Sequence, residues 1–300
     1  MRTALRYLPA PAKLNLFLHV TGRRADGYHL LETVFQLIDL SDSVHLERLD
    51  DPRIEREGAL PGVAPEDDLT VKAARRLAAA SGCRLGVRIA LDKRIPMGAG
   101  LGGGSSDAAT VLLGLNRLWG LHWSADQLAE LALGLGADVP VFVRGDNAYA
   151  TGIGEQLFPV ALPARLFVVV APGVSVPTAS VFSAPELTRN TRPIKIDSLS
   201  RDRSGFPGRN DLQPVVLSRH PRVASALQAL QQAALSVGID PELARMTGSG
   251  ACLFLPVQNA ALGLEIVSRL PVGQGAGELQ ARVVQSLDRH PLRDWAFDAG

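Results

Sequence analysis

The sequence predicts an α+β protein built from two domains, and three observations support this prediction. The chain has 300 residues, which fits two domains of ordinary size at about 150 residues each. Alternating apolar segments typical of strands occur together with segments whose apolar residues recur at helical spacing. The composition changes near Leu162 and Pro163, so we expect an N-terminal domain over residues 1–161 and a C-terminal domain over residues 162–300.

The composition is that of a globular protein, with 46% hydrophobic and 20% charged residues. The formal net charge of +1 provides no basic surface for nucleic acid or an acidic membrane, so neither partner is expected. Cys83 and Cys252 form neither a disulfide framework nor a zinc signature, and the six histidines are scattered. The sequence contains no signal-peptide pattern and no apolar run of about 20 residues. We therefore expect a cytoplasmic protein.

The N-terminal half is predicted to contain six strands and several helices. In residues 13–20, Lys13 and Asn15 share one face of a strand, and leucines share the other. Ser124 and Gln127 have the spacing of a capping box, which predicts a helix from residue 124. The other strands are expected at 30–38, 43–47, 84–92, 147–151 and 155–160, and the other helices at 69–80, from Ser105 onward, and near Asp138.

The C-terminal half alternates between strands and helices in the same way. A buried strand over 165–171 opens it, and a short helix begins at Pro177. The polar segment 191–209 predicts a mobile loop. Further helices are expected at 211–218, 222–236 and 259–270, and further strands at 243–247, 251–255 and 281–287.

The most informative segment is residues 95–109, with the sequence IPMGAGLGGGSSDAA. Five of the seven residues from Gly98 to Gly104 are glycine, which lets a ligand approach bare N–H groups. An amphipathic helix follows, so the loop leads into a helix N-terminus with unpaired donors and partial positive charge. Phosphate is the ligand that best matches this arrangement. We therefore predict a loop that binds the phosphates of a nucleotide.

A dinucleotide-binding turn, a Walker loop and a purely structural turn each fit this segment less well. Gly98, Gly100 and Gly103 satisfy the dinucleotide fingerprint, but residues 93–96 separate them from the preceding strand and no acidic residue follows at the required place. A Walker loop fails because Gly104 is followed by serine without a lysine. A purely structural turn would impose a large entropic cost for five glycines.

Outside the loop, the residues alone are also compatible with purely structural roles. A kinase acting on a hydroxyl needs a carboxylate near the alcohol and a cation near the transferred charge. Lys13 and Asp138 begin a strand and a helix, but a surface lysine and an N-cap aspartate fit the same pattern. Tyr28 and His29 could simply flank a turn, and Phe182 could simply fill a core.

Four segments resemble the GHMP kinases, a superfamily of small-molecule kinases. PMGAGLGGGSSDAA resembles their phosphate-binding motif, and TGSGACLF resembles their third motif. PAKLNLFLHVTGRRADGYHLLETVFQ and GADVPVF narrow the resemblance to members whose acceptor is diphosphocytidyl methylerythritol. The resemblance extends from Pro9 to Leu255. It implies a ribosomal-protein-S5-like N-terminal domain and a ferredoxin-like α/β C-terminal domain.

The resemblance also implies an ATP-dependent kinase that phosphorylates the 2-hydroxyl of this small molecule in the non-mevalonate isoprenoid pathway. The family's catalytic lysine and aspartate fall on Lys13 and Asp138. Asp138 is expected to accept the hydroxyl proton or a hydrogen bond from it, while Lys13 keeps Asp138 ionised. The ATP phosphates are expected on Pro96, Met97, Gly98, Ala99, Gly100, Leu101, Gly102, Gly103, Gly104, Ser105 and Ser106. Ala99 stands where the family often has glycine.

By the same resemblance, the acceptor substrate is expected on Asn15, Tyr28, His29, Ile153, Thr178 and Phe182. Tyr28 and Phe182 would form a sandwich around the pyrimidine ring. The loop Gly248, Ser249 and Gly250 would close over the phosphates, although its glycines also fit a tight turn. ATP chemistry generally uses Mg²⁺, to which either Ser105 or Ser106 could offer a hydroxyl. The sequence does not indicate the oligomeric state.

Overall fold

The computed structural model describes residues 3–194, 208–273, 275 and 277–296. Its α-helices are α1 (Leu69–Ser81), α2 (Gly103–Leu118), α3 (Ala125–Leu133), α4 (Val139–Arg144), α5 (Thr178–Phe182), α6 (Gln213–Arg219), α7 (Pro221–Ser236) and α8 (Ala260–Arg269). Its strands are β1 (Ala4–Arg23), β2 (His29–Leu49), β3 (Ile54–Arg56), β4 (Gly86–Asp92), β5 (Ala148–Thr151), β6 (Gln156–Pro159), β7 (Leu166–Ala171), β8 (Arg245–Met246), β9 (Leu253–Val257) and β10 (Gln280–Gln285). The mixed strands and helices agree with the predicted α+β class.

The first sheet is organised by two long antiparallel strands. Its order is β3-β4-β2-β5-β6, and β1 pairs with β2 outside this path. The two strands predicted at 30–38 and 43–47 are wrong as separate elements, because β2 runs without interruption from His29 to Leu49. The pairing of β1 with β2 keeps the intervening residues extended through several register shifts.

One of these register shifts alters the predicted faces of β1. Strict alternation would place Phe17 on the face of Lys13 and Asn15. Instead, a shift between Asn15 and Leu18 lets Phe17 join Leu14 in a single buried cluster. An extra residue in one strand of a pair displaces every later side chain by one position. On β1, Lys13 and Asn15 are therefore followed directly by the buried apolar residues 16–18.

Helix α2 is the central helix of the first core. Every residue from Ser106 to Asn116 is buried, so the predicted amphipathic helix is in fact covered on all sides. It packs together with α1, α3 and α4 against the sheet. The helix begins at Gly103, two residues before the predicted start, because Gly102 is its N-cap at a φ of 73°. Two glycines of the loop thus belong to the first turn of the helix.

The second sheet has the order β10-β7-β9-β8, and α6, α7 and α8 cover it. A third buried cluster joins the two sheets, with Leu14 and Ile38 from the first and Phe167 and Phe254 from the second. Leu101 of the glycine loop is part of this cluster. The loop is therefore fixed where the two sheets meet. The division at residues 161 and 162 stays a prediction, as does the loop predicted at 191–209, most of which lies outside the described residues.

Beyond β10 the chain returns to the first sheet. Leu287 N–H donates to the Leu37 carbonyl at 2.8 Å, and His290 N–H donates to the Gly145 carbonyl at 2.7 Å. Leu292 is buried in the first core. This returning segment therefore covers the end of α4. Within the described part of the chain, no helix is long and apolar enough to cross a membrane.

The returning segment contains a buried histidine that should make stability depend on pH. Burial lowers the pKa of His290 to about 3, below its ordinary value of 6.5. Between these values the unfolded chain binds a proton that the folded chain does not. The stabilisation is complete above pH 6.5 and is lost as the pH falls, by about 2 kcal/mol from pH 7 to pH 5.

His290→Asn tests this expectation because asparagine can still accept the hydrogen bond that Leu292 N–H donates to Nδ1 at 3.0 Å. We expect the variant to be less stable at pH 7 but to lose about 2 kcal/mol less than the native chain between pH 7 and pH 5. Urea unfolding at both pH values measures the difference. An unchanged pH slope in the variant would contradict the assignment.

Candidate active site

A cleft of about 650 Å³ lies where the two glycine loops meet. Most of the predicted site residues line it: Lys13, Asn15, Pro96, Met97, Gly98, Ala99, Gly100, Leu101, Gly102, Gly103, Gly104, Ser105, Asp138, Ile153, Thr178, Phe182, Gly248 and Ser249. Four do not line it: Tyr28, His29, Ser106 and Gly250. The structure thus brings together residues that are far apart in the sequence.

Three glycines of the first loop need their conformational freedom. Gly98, Gly100 and Gly102 have φ values of 62°, 78° and 73°. Ala99 has no positive φ, which explains why alanine is accepted there. The Ser106 N–H donates to the Gly102 carbonyl at 2.9 Å and so already belongs to the helix. The donors at the helix N-terminus that remain for a phosphate are those that precede Ser106.

Lys13 and Asp138 both line the cleft and form an ion pair there. Lys13 Nζ lies 3.3 Å from Asp138 Oδ2, and the lysine side chain is 3% exposed whereas the aspartate is 37% exposed. Asp138 is the N-cap of α4, but its side chain makes no capping hydrogen bond. The alternative of a purely structural N-cap aspartate is therefore not what the structure shows. The carboxylate is instead held beside the lysine and open to the cleft.

Backbone and side-chain acceptors fix the position of the Lys13 ammonium. Lys13 Nζ donates to Asn15 Oδ1 at 2.5 Å and to the Gly100 carbonyl at 3.2 Å. Asn15 Nδ2 in turn donates to Thr33 Oγ1 at 2.9 Å. Both ends of the Asn15 amide are thus engaged within the protein. In this structure Asn15 orients Lys13, and its predicted contact with the acceptor substrate stays a prediction.

The second glycine loop packs directly on the first. Gly248 and Gly250 have φ values of 56° and 89°. A Cβ atom added at Gly248 would lie 2.7 Å from the Gly100 carbonyl oxygen, so the two backbones approach more closely than any side chain permits. Ser249 Oγ lies 2.7 Å from Thr178 Oγ1 and joins this loop to the start of α5. Both loops therefore form one wall of the cleft.

The aromatic neighbours at the α5 end differ from the predicted sandwich. The ring that lies against Phe182 is that of His29, with centroids 5.1 Å apart and planes inclined by 31°. Tyr28 is 60% exposed. Ile153 lines the cleft, but its N–H donates to Glu155 Oε2 at 2.5 Å. Phe182 therefore has one aromatic neighbour within the described part of the protein, and the predicted pairing of Tyr28 with Phe182 around a ligand stays a prediction.

Sequence reasoning missed an ion cluster beneath the first glycine loop. Lys93 Nζ lies 2.6 Å from Asp107 Oδ2 and also contacts Asp42. Asp42 Oδ1 accepts a hydrogen bond from Ile95 N–H at 2.8 Å, so the cluster fixes the entry to the loop. Burial raises the pKa of Asp107 to about 7. Burial also acts to lower the pKa of Lys93, but attraction to the two carboxylates raises it overall and keeps the ammonium charged.

A second missed feature is an apolar wall beside the start of α2. It consists of Leu60, Val63 and Leu69 together with Met97 of the loop. Leu69 Cδ1 lies 3.6 Å from the position of a Cβ at Gly104. The sequence offered little signal for this wall, because residues 53–68 have the composition of a polar loop.

The possible metal ligands near the loop are few. The described residues contain no cluster of three or more His, Cys, Asp or Glu side chains suited to a metal ion. Ser106 Oγ and Asp107 Oδ1 are buried and make no hydrogen bond within the described part of the chain. A hydroxyl and a carboxylate are donors that Mg²⁺ accepts, and a phosphate-bound Mg²⁺ needs only one or two protein ligands. Of these two residues only Asp107 lines the cleft, so Asp107 is the one that fits such an ion.

Comparison with known proteins shows which proteins the chain is similar to. Residues 68–146 match the family model described as the GHMP kinases N terminal domain. The 4-diphosphocytidyl-2-C-methyl-D-erythritol kinase of Thiobacillus denitrificans is 55% identical, over 96% of this chain and 97% of the relative. The protein of the same name from Cupriavidus metallidurans is 52% identical, over 97% of this chain and 96% of the relative.

Solved structures show the same fold. A crystal structure of 4-(cytidine 5'-diphospho)-2C-methyl-D-erythritol kinase matches with a TM-score of 0.75 and 35% identity, covering 92% of this chain and 98% of that one. Homoserine kinase from Cytophaga hutchinsonii matches with a TM-score of 0.69 but 16% identity, covering 97% and 96%, and so shows the fold alone. The predicted GHMP kinase fold is thereby confirmed. With 55% identity across nearly its full length, the chain belongs to the 4-diphosphocytidyl-2-C-methyl-D-erythritol kinase family.

Proposed function

We propose that this chain transfers the γ-phosphoryl group of ATP to the 2-hydroxyl of 4-diphosphocytidyl-2-C-methyl-D-erythritol in the non-mevalonate isoprenoid pathway. The single observation that supports it most is the Lys13–Asp138 ion pair, at 3.3 Å, in a cleft lined by both glycine loops. The names of the relatives at 52–55% identity supply the acceptor substrate. A non-catalytic nucleotide-binding module would have no use for such a pair.

In this proposal, the first glycine loop binds the triphosphate of ATP, and the apolar wall binds its base. The triphosphate lies at the N-terminus of α2, where the N–H groups of Gly103, Gly104 and Ser105 remain for it. The base lies against Leu69 and Met97, which both line the cleft. Asp107, which lines the cleft, is the residue that would hold Mg²⁺, and the ion would neutralise part of the phosphate charge there.

The acceptor lies on the opposite side of the ion pair. This part of the cleft is lined by Phe182, Thr178 and Ile153. The His29 ring packs against that of Phe182. An aromatic face with a few nearby hydrogen-bonding groups suits a pyrimidine. The methylerythritol hydroxyl then extends towards Asp138, which is the open carboxylate of the site.

In the reaction, Asp138 orients the 2-hydroxyl and accepts its proton as the oxygen attacks the γ-phosphorus atom. The bond between this phosphorus and the β–γ bridging oxygen breaks, and ADP leaves with that oxygen. The Lys13 ammonium, fixed by Asn15 and the Gly100 carbonyl, balances the negative charge that develops between the two substrates. The second glycine loop covers the reacting groups and limits the access of water. The protein contributes position and charge, since phosphoryl transfer needs little other chemistry from it.

Measuring ADP release with three acceptors in parallel tests this proposal. We expect turnover with the diphosphocytidyl substrate and none with homoserine or mevalonate. Turnover with homoserine or mevalonate alone would indicate another GHMP kinase, in agreement with the shared fold of the homoserine kinase structure. Absence of ADP release with all three would indicate a binding protein.

A further inference from the structure

The guanidinium group of Arg189 links Phe182, which lines the cleft, to His29, whose ring packs against Phe182 without lining the cleft. Its Nε donates to His29 Nε2 at 3.0 Å. Its Nη2 donates to the carbonyls of Phe182 at 3.1 Å and Ala184 at 2.6 Å, while Nη1 donates to the Leu187 carbonyl at 2.9 Å. Arg189 therefore ties the first residue of β2 to the C-terminal end of α5.

This contact determines which nitrogen of His29 carries a proton. A guanidinium has only donors, so His29 Nε2 must accept, and the proton of the neutral ring must lie on Nδ1. Burial, then the charge of Arg189 and then that of Arg23, lower the pKa of His29. The ring is thus held neutral, in a single tautomer whose remaining donor is Nδ1–H.

The segment that contains Arg189 is itself fixed to the first sheet. Thr191 N–H donates to the Val20 carbonyl at 3.1 Å. Ile194 N–H donates to both oxygens of the buried Glu32 carboxylate at 2.9 Å. Arg189 is therefore not a mobile surface arginine, and its guanidinium group has one defined orientation.

We infer that Arg189 is a positioning residue for acceptor recognition, because it holds Phe182 in place and fixes the His29 imidazole beside it as the Nδ1–H tautomer. This inference rests on the proposed function, in which Phe182 contacts the pyrimidine. A lysine cannot replace the arginine, since one ammonium cannot reach three carbonyls and an imidazole in this geometry. Arg189 acts through these two rings and takes no part in phosphoryl transfer.

The test compares Arg189→Gln with Arg192→Gln, a matched control because Arg192 is an exposed arginine on the same segment. The first measurement is the ¹⁵N NMR spectrum of the His29 ring in the protein without substrate. We expect an unprotonated Nε2 in the native chain and in Arg192→Gln. In Arg189→Gln we expect a mixture of both tautomers.

The second measurement is steady-state kinetics with the diphosphocytidyl substrate and ATP. We expect Arg189→Gln to raise the KM for the diphosphocytidyl substrate about tenfold, with kcat and the KM for ATP within about twofold of the native values. Arg192→Gln should change none of these. If Arg189→Gln does not fold, Arg189→Lys is compared by the same two measurements, with a smaller rise in KM expected.

A native His29 protonated on Nε2 would overturn the inference even if the chain is an active kinase. An equal fall of kcat/KM for both substrates would do so as well, because it would indicate only a general structural role. Failure of the proposed function would give a different result from failure of this inference. The native chain would then release no ADP with the diphosphocytidyl substrate, while the tautomer of His29 could still be measured.

Discussion

Asp138→Asn should lower kcat by about 10³-fold while the protein stays folded. Asparagine keeps the size of the side chain but neither accepts a proton nor balances the charge of Lys13, which lies 3.3 Å away. General-base groups of this kind contribute about 10²- to 10⁴-fold to a rate. Because Asp138 is 37% exposed and makes no capping hydrogen bond, its loss should change stability little. ADP release at saturating substrates measures the effect.

Glu130→Gln is the matched control for this variant, since it makes the same chemical change at an exposed position of α3. We expect native kcat and native thermal unfolding from it. An Asp138→Asn enzyme that retains near-native turnover would show that the carboxylate does not participate in the reaction. An Asp138→Asn protein that unfolds at a much lower temperature would instead assign the carboxylate to stability.

The sequence alone could predict those parts of the site in which neighbouring residues form a recognisable pattern. A run of glycines before a helix favours a phosphate loop from the local pattern, and the structure places Gly98, Gly100 and Gly102 at positive φ, a conformation that glycine adopts readily. Lys13 and Asp138 needed the family resemblance, because nothing in their neighbourhoods distinguishes them from a surface lysine and a helix cap. Their pairing at 3.3 Å arises from the fold.

The parts that the sequence did not predict depend on contacts between distant residues. Asp42 lies between two apolar segments that have the pattern of separate strands, and only the continuous strand β2 brings it to the glycine loop. Arg189 lies in a polar stretch without a motif, yet its guanidinium group donates a hydrogen bond to His29, which is 160 positions away in the sequence. Local periodicity contains no information about such pairs, since they are set by strand register and by the packing of one sheet on the other.

Gly100→Ala should be the most damaging single change in the loops. Its φ of 78° already disfavours alanine, and the new Cβ would lie 2.3 Å from the Thr247 carbonyl oxygen, which is backbone and cannot rotate away. The two glycine loops would have to separate. Because the Gly100 carbonyl also accepts the hydrogen bond of Lys13, the displacement would reach the ion pair.

A misplacement of about 1 Å can cost about 100-fold in rate, so we expect Gly100→Ala to lower kcat/KM for ATP at least that much. Gly120→Ala is the control, because Gly120 has a similar φ of 66° but no described atom within 4 Å of the added Cβ. It should lose only about 1–2 kcal/mol of stability from the left-handed backbone and keep native kinetics. Equal effects of the two substitutions on kcat/KM would show that backbone strain alone matters. A larger effect at Gly100 would show that the reaction depends on the contact between the two loops.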